Sequence, residues 1–150
     1  MTIGSRVAVW SAAMLAALGS CRSATGSCES GAGVAGRWTY SATQESPVRA
    51  TLNGTMLIPA YQCADFQGVI DVVETLATGE SRRLGGTVSG FVIAGNGTMV
   101  QFEATLNGAS REHLARLAGD SLSGSWVESL PGGAPGAGAG PFSGRRQAPQ

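Results

Sequence analysis

The stretch that decides the fold is Val100-Gln101-Phe102-Glu103-Ala104-Thr105-Leu106-Asn107-Gly108. Apolar and polar residues alternate through it, and an Asn-Gly pair follows the last apolar residue. Such alternation is typical of a strand with one buried face. Asn-Gly favours a two-residue hairpin turn, because both residues tolerate a positive φ. We therefore predict a strand that reverses at Asn107-Gly108 into a second strand at residues 110–117, where a helix is the less favoured interpretation.

The same alternation recurs along the chain. It predicts eight strands, at residues 36–43, 49–58, 65–76, 83–93, 98–106, 110–117, 121–129 and 140–146. Asn53-Gly54 is a further Asn-Gly pair, but we interpret it as strand because Gly54 shares the phase of the apolar residues, as do Gly68, Gly90 and Gly124. Inward glycines let a closing sheet bend sharply. We expect them also to leave gaps among the large side chains of the core.

The composition supports an all-β domain over residues 36–146. Charged residues make up 13% of the chain and there are 23 glycines, which fits short strands with many turns better than a helical bundle. We expect an antiparallel up-and-down meander that closes into a small eight-stranded β-barrel. A two-sheet β-sandwich is the alternative.

The end of the chain carries two expectations. Residues 131–139 are rich in Gly, Pro and Ala, and we expect a flexible loop there. Residues 140–146 are expected to return and pair with the first strand, the alternative being a disordered tail that begins earlier than the predicted tail at 147–150.

Two short motifs resemble a known family. Gly36-Arg37-Trp38 is similar to the Gly-x-Trp of the first strand in lipocalins and related calycin barrels, and Gly124-Ser125-Trp126 repeats the pattern late in the chain. The resemblance implies the barrel fold and does not extend to a ligand. The other short lipocalin motifs and the usual C-terminal helix are not recognisable in this sequence.

The first twenty residues have the pattern of an export signal. Arg6 precedes the apolar run 7–18, which is too short to span a bilayer as a helix. The run ends in Leu18-Gly19-Ser20-Cys21, which resembles the lipobox of bacterial lipoproteins. The alternative is ordinary cleavage after Gly19, which would release a soluble secreted protein.

The lipobox resemblance implies that residues 1–20 are removed and that the Cys21 thiol carries diacylglycerol. Two or three acyl chains, such as palmitate, anchor a protein stably. Arg22 follows the cysteine, and in Gram-negative lipoproteins a residue other than Asp there implies the periplasmic face of the outer membrane. Residues 21–35 are rich in Ser, Gly and Ala, and we expect a flexible stalk.

The remaining cysteines, Cys28 and Cys63, are expected to form a disulfide because an exported compartment is oxidising. Two free or intermolecular thiols are the alternative. Two cysteines and one histidine are too few and too badly spaced for a metal site, so no metal is expected. No cofactor is expected either: the G-x-G-x-x-G match at residues 31–36 follows a linker instead of a strand.

The sequence offers no catalytic constellation, so an enzyme is not expected and an envelope hydrolase is kept only as an outsider. His113 is the one histidine, and we interpret it as a residue of the surface or of a barrel mouth. Glu74 and Glu128 fall on the inward phase near strand ends, where we expect water to reach them. The net charge is zero, which does not favour a nucleic-acid partner.

Two non-catalytic functions therefore remain for a membrane-anchored envelope lipoprotein. One is an interaction module with a filled core that presents its outer surface to an envelope protein. The other is a carrier of a small apolar ligand in a lipocalin-like barrel. The expected pocket is lined by Trp38, Phe102 and Trp126, with Arg111 and His113 as polar anchors if their strand face turns inward.

Overall fold

The computed structural model describes residues 33–62, 65–93, 98–129 and 135–148. Its strands are β1 (Gly36–Gln44), β2 (Ala50–Gln62), β3 (Asp65–Leu76), β4 (Ser81–Val92), β5 (Met99–Leu106), β6 (Ala109–Ala118), β7 (Ser121–Ser129) and β8 (Pro135–Arg146). Each strand pairs with the next one in antiparallel orientation, and β8 pairs with β1, so the sheet is a closed barrel. The predicted meander and its closure are confirmed, and the two-sheet alternative was wrong.

The turn between β5 and β6 has the backbone that the sequence predicts. Leu106 pairs with Ala109, and the two residues between them, Asn107 and Gly108, have φ values of 47° and 85°. Two positive φ values in a two-residue loop match the right-handed twist of the flanking strands. This turn therefore fixes the register in which β6 faces its neighbours, and the strand predicted at 110–117 is confirmed within β6.

Strand β2 is longer than expected. It continues to Gln62, whereas the predicted strand stopped at residue 58. The β2–β3 ladder shifts register between Leu57 and Ala60, and Pro59 lies inside this irregularity. Because proline has no N–H to donate, it is tolerated at a bulge where the ladder bond is missing. The proline therefore interrupts the ladder without ending the strand.

Strand β8 closes the barrel and begins earlier than expected. Trp38 pairs with Arg146 and Ala42 with Phe142, which confirms the predicted return of residues 140–146 over a disordered tail. Residues 135–139 also belong to β8, so the predicted loop at 131–139 was wrong over that part. The reason is steric. Gly138 is buried where a Cβ would meet the Trp126 ring edge at 3.1 Å, so a residue without a side chain is suited to this strand position.

The core lies inside the barrel and follows the alternation of the strands. Every second residue of β5 and β6 is buried, and their neighbours are mostly exposed. The largest fully buried side chains include Trp38, Trp126, Tyr40, Leu52, Met56, Ile58, Leu106, Leu122 and His113. Such a core is held together chiefly by removal of apolar surface from water. In the described ranges, no helix is long and apolar enough to cross a membrane.

The inward glycines do not leave gaps, which corrects the sequence expectation. A Cβ on Gly54 would overlap the carbonyl oxygen of Asp71, and one on Gly124 would overlap that of Leu114. At Gly68 and Gly90 the neighbouring strand's backbone likewise takes the space. Strong coiling of a small closed sheet presses adjacent backbones together at these points. The glycines are therefore needed for close approach of strands, and the space for a ligand has to be sought elsewhere.

The segment before β1 closes one end of the barrel. Val34 is fully buried, and its carbonyl accepts a hydrogen bond of 2.8 Å from Nε1 of Trp38. Arg146 lies over the Trp38 ring, 4.5 Å from its centroid, and donates to the carbonyls of Gly33 and Ala35. The last residues of the predicted stalk therefore belong to the barrel, because an apolar Val34 gains more by burial than by solvation.

Three predicted features lie outside the described residues. These are Cys21 with its signal segment, the stalk from 21 to 32, and the proposed pair of Cys28 and Cys63.

Candidate functional site

The two ends of the barrel differ in what they expose. At one, which we call the terminal end, β1 begins at Gly36 and β8 ends at Arg146. The other end carries the Asn107-Gly108 turn, and we call it the turn end. Because the terminal end is covered by Val34 and Arg146, chemistry that must meet a small molecule is sought at the turn end.

Four charged side chains gather on the inward phase at the turn end. Arg82 bonds through Nε to Oε2 of Glu74, and Arg111 lies between Glu74 and Glu128, with Nη2 at 3.6 and 3.8 Å from their Oε1 atoms. Glu74 and Arg111 are buried to 3% and 4% exposure. Glu128 is 21% exposed and Arg82 is 67% exposed, so the cluster leads from solvent into the barrel.

The guanidinium of Arg111 lacks hydrogen-bond partners for part of its N–H groups. Its Nε and Nη1 atoms are buried and have no hydrogen-bond partner. Its carbon Cζ lies 5.3 Å from the centroid of the Trp126 ring, a cation–π distance. The carboxylates on either side are too far for good hydrogen bonds. An unpaired buried polar group costs about 1–3 kcal/mol. Among the described residues, Arg111 is therefore the side chain at which a hydrogen-bond acceptor on a bound molecule would be most stabilising.

His113 stands deeper in the barrel and is fully engaged. Its Nδ1 lies 2.9 Å from the carbonyl oxygen of Arg111 and its Nε2 lies 2.8 Å from the Tyr40 hydroxyl. A carbonyl only accepts, so Nδ1 carries the proton and Nε2 accepts from the Tyr40 O–H. Burial lowers the pKa of His113 to about 4 and raises the pKa of Tyr40 above its usual value. Both groups are therefore neutral at pH 7.

Aromatic rings surround His113 on the inner faces of three strands. Its imidazole stacks on Phe102 with centroids 4.3 Å apart and an interplanar angle of 7°. Phe142 meets the imidazole edge-on at 4.9 Å, and Tyr40 meets it edge-on at 5.8 Å. Aromatic pairs prefer such offset and edge arrangements. This packing holds the imidazole rigidly, so His113 supports the floor of the site above which Arg111 lies.

The structure brings together four of the five residues of the expected pocket, in two pairs. His113 stacks on Phe102, and Arg111 lies over Trp126. His113 and Trp126 are also partners in the β6–β7 ladder, which joins the two pairs. Trp38 lies toward the terminal end, with Val34 and Arg146. Arg111 and His113 both face inward, as a polar anchor requires.

Two sequence interpretations need correction. His113 is 1% exposed, so it is a core residue and not one of the surface or of a mouth. Its two hydrogen bonds offset the loss of water around the ring. Glu74 is 3% exposed, whereas we expected water to reach it. Its charge is tolerated there because Arg82 and Arg111 lie beside it. Glu128 does keep part of its exposure.

Tyr40 is the site residue that the sequence reasoning missed. It shares the inward phase of Trp38 in β1, but the sequence pattern assigned it no role. The available signal was that a buried tyrosine needs a hydrogen-bond partner, and that inward His113 is a side chain able to supply one. As for metals, the described residues contain no group of three His, Cys, Asp or Glu side chains that could hold an ion.

No protein family is matched by this sequence, and no curated protein matches it. The fold itself is that of a small closed antiparallel β-barrel, and it is similar to designed barrels. A de novo designed fluorescence-activating β-barrel has a TM-score of 0.56 and 18% identity, over 75% of this chain and 93% of that one.

A second solved structure, EF1p2_mFAP2b bound to DFHBI, has a TM-score of 0.58 and 13% identity, over 75% of this chain and 93% of that one. The redesigned barrel mFAP0, also bound to DFHBI, has a TM-score of 0.52 and 14% identity, over 75% and 97% of the two chains. At these identities the likeness shows the fold alone.

Proposed function

We propose that the protein is an exported, lipid-anchored binding protein of the cell envelope, which holds a small molecule at the turn end of its barrel. The observation that carries the proposal is the Arg111 guanidinium, buried to 4% exposure with Nε and Nη1 unpaired. A ligand acceptor placed there would remove the penalty of about 1–3 kcal/mol for an unpaired buried donor. If the interior served packing alone, an apolar residue at position 111 would stabilise the fold at least as well as arginine does.

The difference between the two ends of the barrel supports entry of the ligand at the turn end. Val34 and Arg146 cover the terminal end, while Glu128 and Arg82 reach solvent at the turn end. If Cys21 carries the lipid, the anchor precedes Val34 at the covered end by 13 residues, which span at most about 47 Å when extended. Such a tether leaves the turn end free to face away from the membrane, where a molecule in solution can reach it.

The structural neighbours support the capacity of this fold to hold a small molecule. The barrels EF1p2_mFAP2b and mFAP0 were both solved bound to DFHBI. An eight-stranded barrel has an interior that is either filled by side chains or holds one small ligand. We propose the second state for this chain at its turn end, above the packed floor formed by His113, Phe102 and Phe142.

Binding is favoured over catalysis by the state of His113. Both ring nitrogens are engaged, and its pKa of about 4 keeps the imidazole neutral at pH 7. A general base needs a free nitrogen within reach of the substrate proton. His113 offers none, so it positions the site and transfers no proton.

We also propose the Cys28–Cys63 disulfide. Gln62, which precedes Cys63, pairs with Asp65 at the terminal end, where the chain also enters β1. A disulfide there would pin the stalk beside the covered end. Closing such a loop typically stabilises by about 3–4 kcal/mol. Non-reducing peptide mapping of freshly purified protein tests it, and two alkylatable thiols would refute it.

Native mass spectrometry of the full chain, extracted from its own membrane, tests the binding function. The expected spectrum shows the acylated protein plus the mass of a small molecule. Arg111→Met should lose the small molecule and keep the acyl groups. Arg116→Met, on the exposed face of the same strand, is the matched control and should retain both. An adduct unchanged by Arg111→Met would contradict the proposed site.

One observation favours a second function, an interaction module. Val69 and Val73 of β3 are 54% and 43% exposed on the outer face, and Leu114 and Val127 lie exposed on β6 and β7. Exposed apolar side chains mark partner surfaces where they lie together, as Leu114 and Val127 do on the neighbouring strands β6 and β7. Under this function the barrel holds no small molecule, so the same mass spectrum would show the protein with its acyl groups alone.

A further inference from the structure

We infer that the ligand presents an uncharged, flat polar group, a carbonyl acceptor beside an N–H donor as in a cyclic urea or a lactam, fused to a ring. This inference rests on the proposed binding function and names the class of molecule that the turn end would take. The sequence led us to expect an apolar ligand. The structure adds a polar group to that ligand, and the charged cluster at the turn end determines the chemistry of this group.

Charge balance indicates an uncharged ligand. Arg82 and Arg111 carry two positive charges, and Glu74 and Glu128 carry two negative ones, all within one set of ion pairs. His113 beneath them is neutral. An anionic or cationic ligand would add an uncompensated charge beside the buried Glu74 and Arg111, which is unfavourable where little water reaches. A neutral ligand preserves the balance.

The free hydrogen-bonding positions indicate an acceptor and a donor side by side. Nε and Nη1 of Arg111 hold three of the five guanidinium N–H groups, and none of the three has an acceptor. A carbonyl oxygen of the ligand supplies one. Glu128 lies beside the same guanidinium, its Oε1 3.8 Å from Nη2. A carboxylate only accepts, so the ligand atom next to its carbonyl should carry an N–H.

The walls of the site indicate a flat molecule. Trp126 presents its ring to Arg111 at 5.3 Å. Gly138 packs beside this ring without a side chain, where a Cβ would meet Oε1 of Gln44 at 3.0 Å and Oε2 of Glu128 and Cη2 of Trp126, each at 3.1 Å. The planar Arg111 guanidinium and the Trp126 ring are both flat surfaces. A flat ring that bears the carbonyl and the N–H can lie against them, and apolar and aromatic lining with a few polar anchors is usual for small-molecule sites.

The test compares three small probes of related size by isothermal titration calorimetry on the full chain, in one detergent. Benzimidazolone is a cyclic urea fused to a ring, indane has the same shape without polar atoms, and benzoate is an anion. We expect benzimidazolone to bind at least about tenfold more tightly than indane or benzoate, since hydrogen bonds to a charged donor are worth that much.

Three variants assign the effect to the cluster. Arg111→Lys keeps the charge but removes the Nε and Nη1 donors, so it should weaken benzimidazolone about tenfold and leave indane unchanged. Arg116→Lys on the exposed face of β6 is the matched control and should change neither. Glu128→Gln, at a partly exposed position, makes the cluster net positive and should shift the preference towards benzoate. This variant also keeps the test open if Arg111→Lys does not fold.

The outcomes separate this inference from the function on which it rests. Benzoate binding most tightly to the unaltered protein overturns the charge argument. Indane binding as well as benzimidazolone overturns the hydrogen-bond argument, and failure of benzimidazolone to bind overturns the inference whatever the other probes do. The binding function itself fails only if the full chain from its own membrane carries no small molecule.

Discussion

The Tyr40 hydroxyl donates a hydrogen bond of 2.8 Å to Nε2 of His113 through the interior of the barrel. The two residues lie on β1 and β6, which are not neighbours in the sheet. The bond therefore ties separate walls together and fixes the tautomer of the imidazole, whose Nδ1–H is given to the carbonyl of Arg111. Because Arg111 is itself the proposed ligand-binding residue, the Tyr40–His113 pair supports the floor of the site.

The buried imidazole should make stability depend on pH. The pKa of His113 is lowered from 6.5 to about 4, so between these values the unfolded chain binds more protons than the folded one. The free energy of unfolding contributed by His113 is then complete above about pH 6.5 and is lost as the pH falls to 4. The full loss is about 3 kcal/mol.

Urea unfolding of the protein and of His113→Gln, measured at several values from pH 4 to 7.5, checks this. Carboxylates titrate in both proteins, so the difference between the two curves isolates the imidazole. The difference should grow with pH and level off near 6.5. Parallel curves would show that the His113 pKa is not lowered in the folded state.

Tyr40→Phe removes the hydroxyl and should destabilise the fold by about 1–3 kcal/mol, because Nε2 of His113 becomes a buried acceptor without a donor. Urea unfolding at pH 7 measures it. Ser41→Ala is the control: it removes a hydroxyl next in sequence that bonds Asn53 in an exposed position, and it should change stability by less than about 0.5 kcal/mol. Equal effects would contradict the role of the interior bond.

Gly54→Ala should destabilise by about 1–3 kcal/mol, because the new methyl group overlaps the carbonyl oxygen of Asp71 and forces β2 and β3 apart. Gly85→Ala is the matched strand control, since nothing lies within 4 Å of its added Cβ. It should be neutral or stabilise by about 0.4–1 kcal/mol through the unfolded chain. Thermal unfolding of both variants decides whether inward glycines serve close strand approach.

A chain that stops at Leu130 lacks β8 and should lose the monomeric barrel. It leaves β1 and β7 without their partner, and unpaired edges promote association. It also lacks Phe142, which is 4% exposed and packs against Tyr40 and His113. Size-exclusion chromatography with light scattering is the measurement. A chain that stops at Gln147 keeps β8 and should remain monomeric, while a monomeric Leu130 chain of unchanged melting temperature would contradict the prediction.

Phe142→Ala addresses the core contribution of β8 without removing the strand. Loss of a buried phenylalanine side chain typically costs about 3–5 kcal/mol, and urea unfolding should show a fall of that size. A change below about 1 kcal/mol would mean that β8 stabilises the fold through its backbone pairing and not through the Phe142 side chain.

Cys21→Ala should prevent lipidation, if the lipobox resemblance holds, and so move the protein out of the detergent phase or leave the precursor uncut. Phase partition and the mass of the N-terminal peptide measure both effects. Cys28→Ala, a few residues along the same segment, should partition with detergent as the unaltered protein does. Unchanged partition and processing of Cys21→Ala would refute the anchor.

The strands were predictable because their signal is local. Alternation with period two marks which side chains face inward, and it placed Arg111 and His113 on one face of β6 correctly. It also put Glu74 on the inward phase. What the pattern could not supply was the environment of that carboxylate, since the partners that allow its burial, Arg82 and Arg111, come from other strands.

The sequence by itself therefore determined the strand order, the turn at Asn107-Gly108 and the division into inward and outward residues, because each depends on neighbours along the chain. Only the closed barrel decided which inward residues meet. Tyr40 and His113 stand 73 positions apart, and their contact follows from closure by β8. Likewise, Val34 became core because Trp38 and Arg146 lie beside it at the end of the barrel. Contacts through an interior depend on the shape of the whole sheet, which no local pattern encodes.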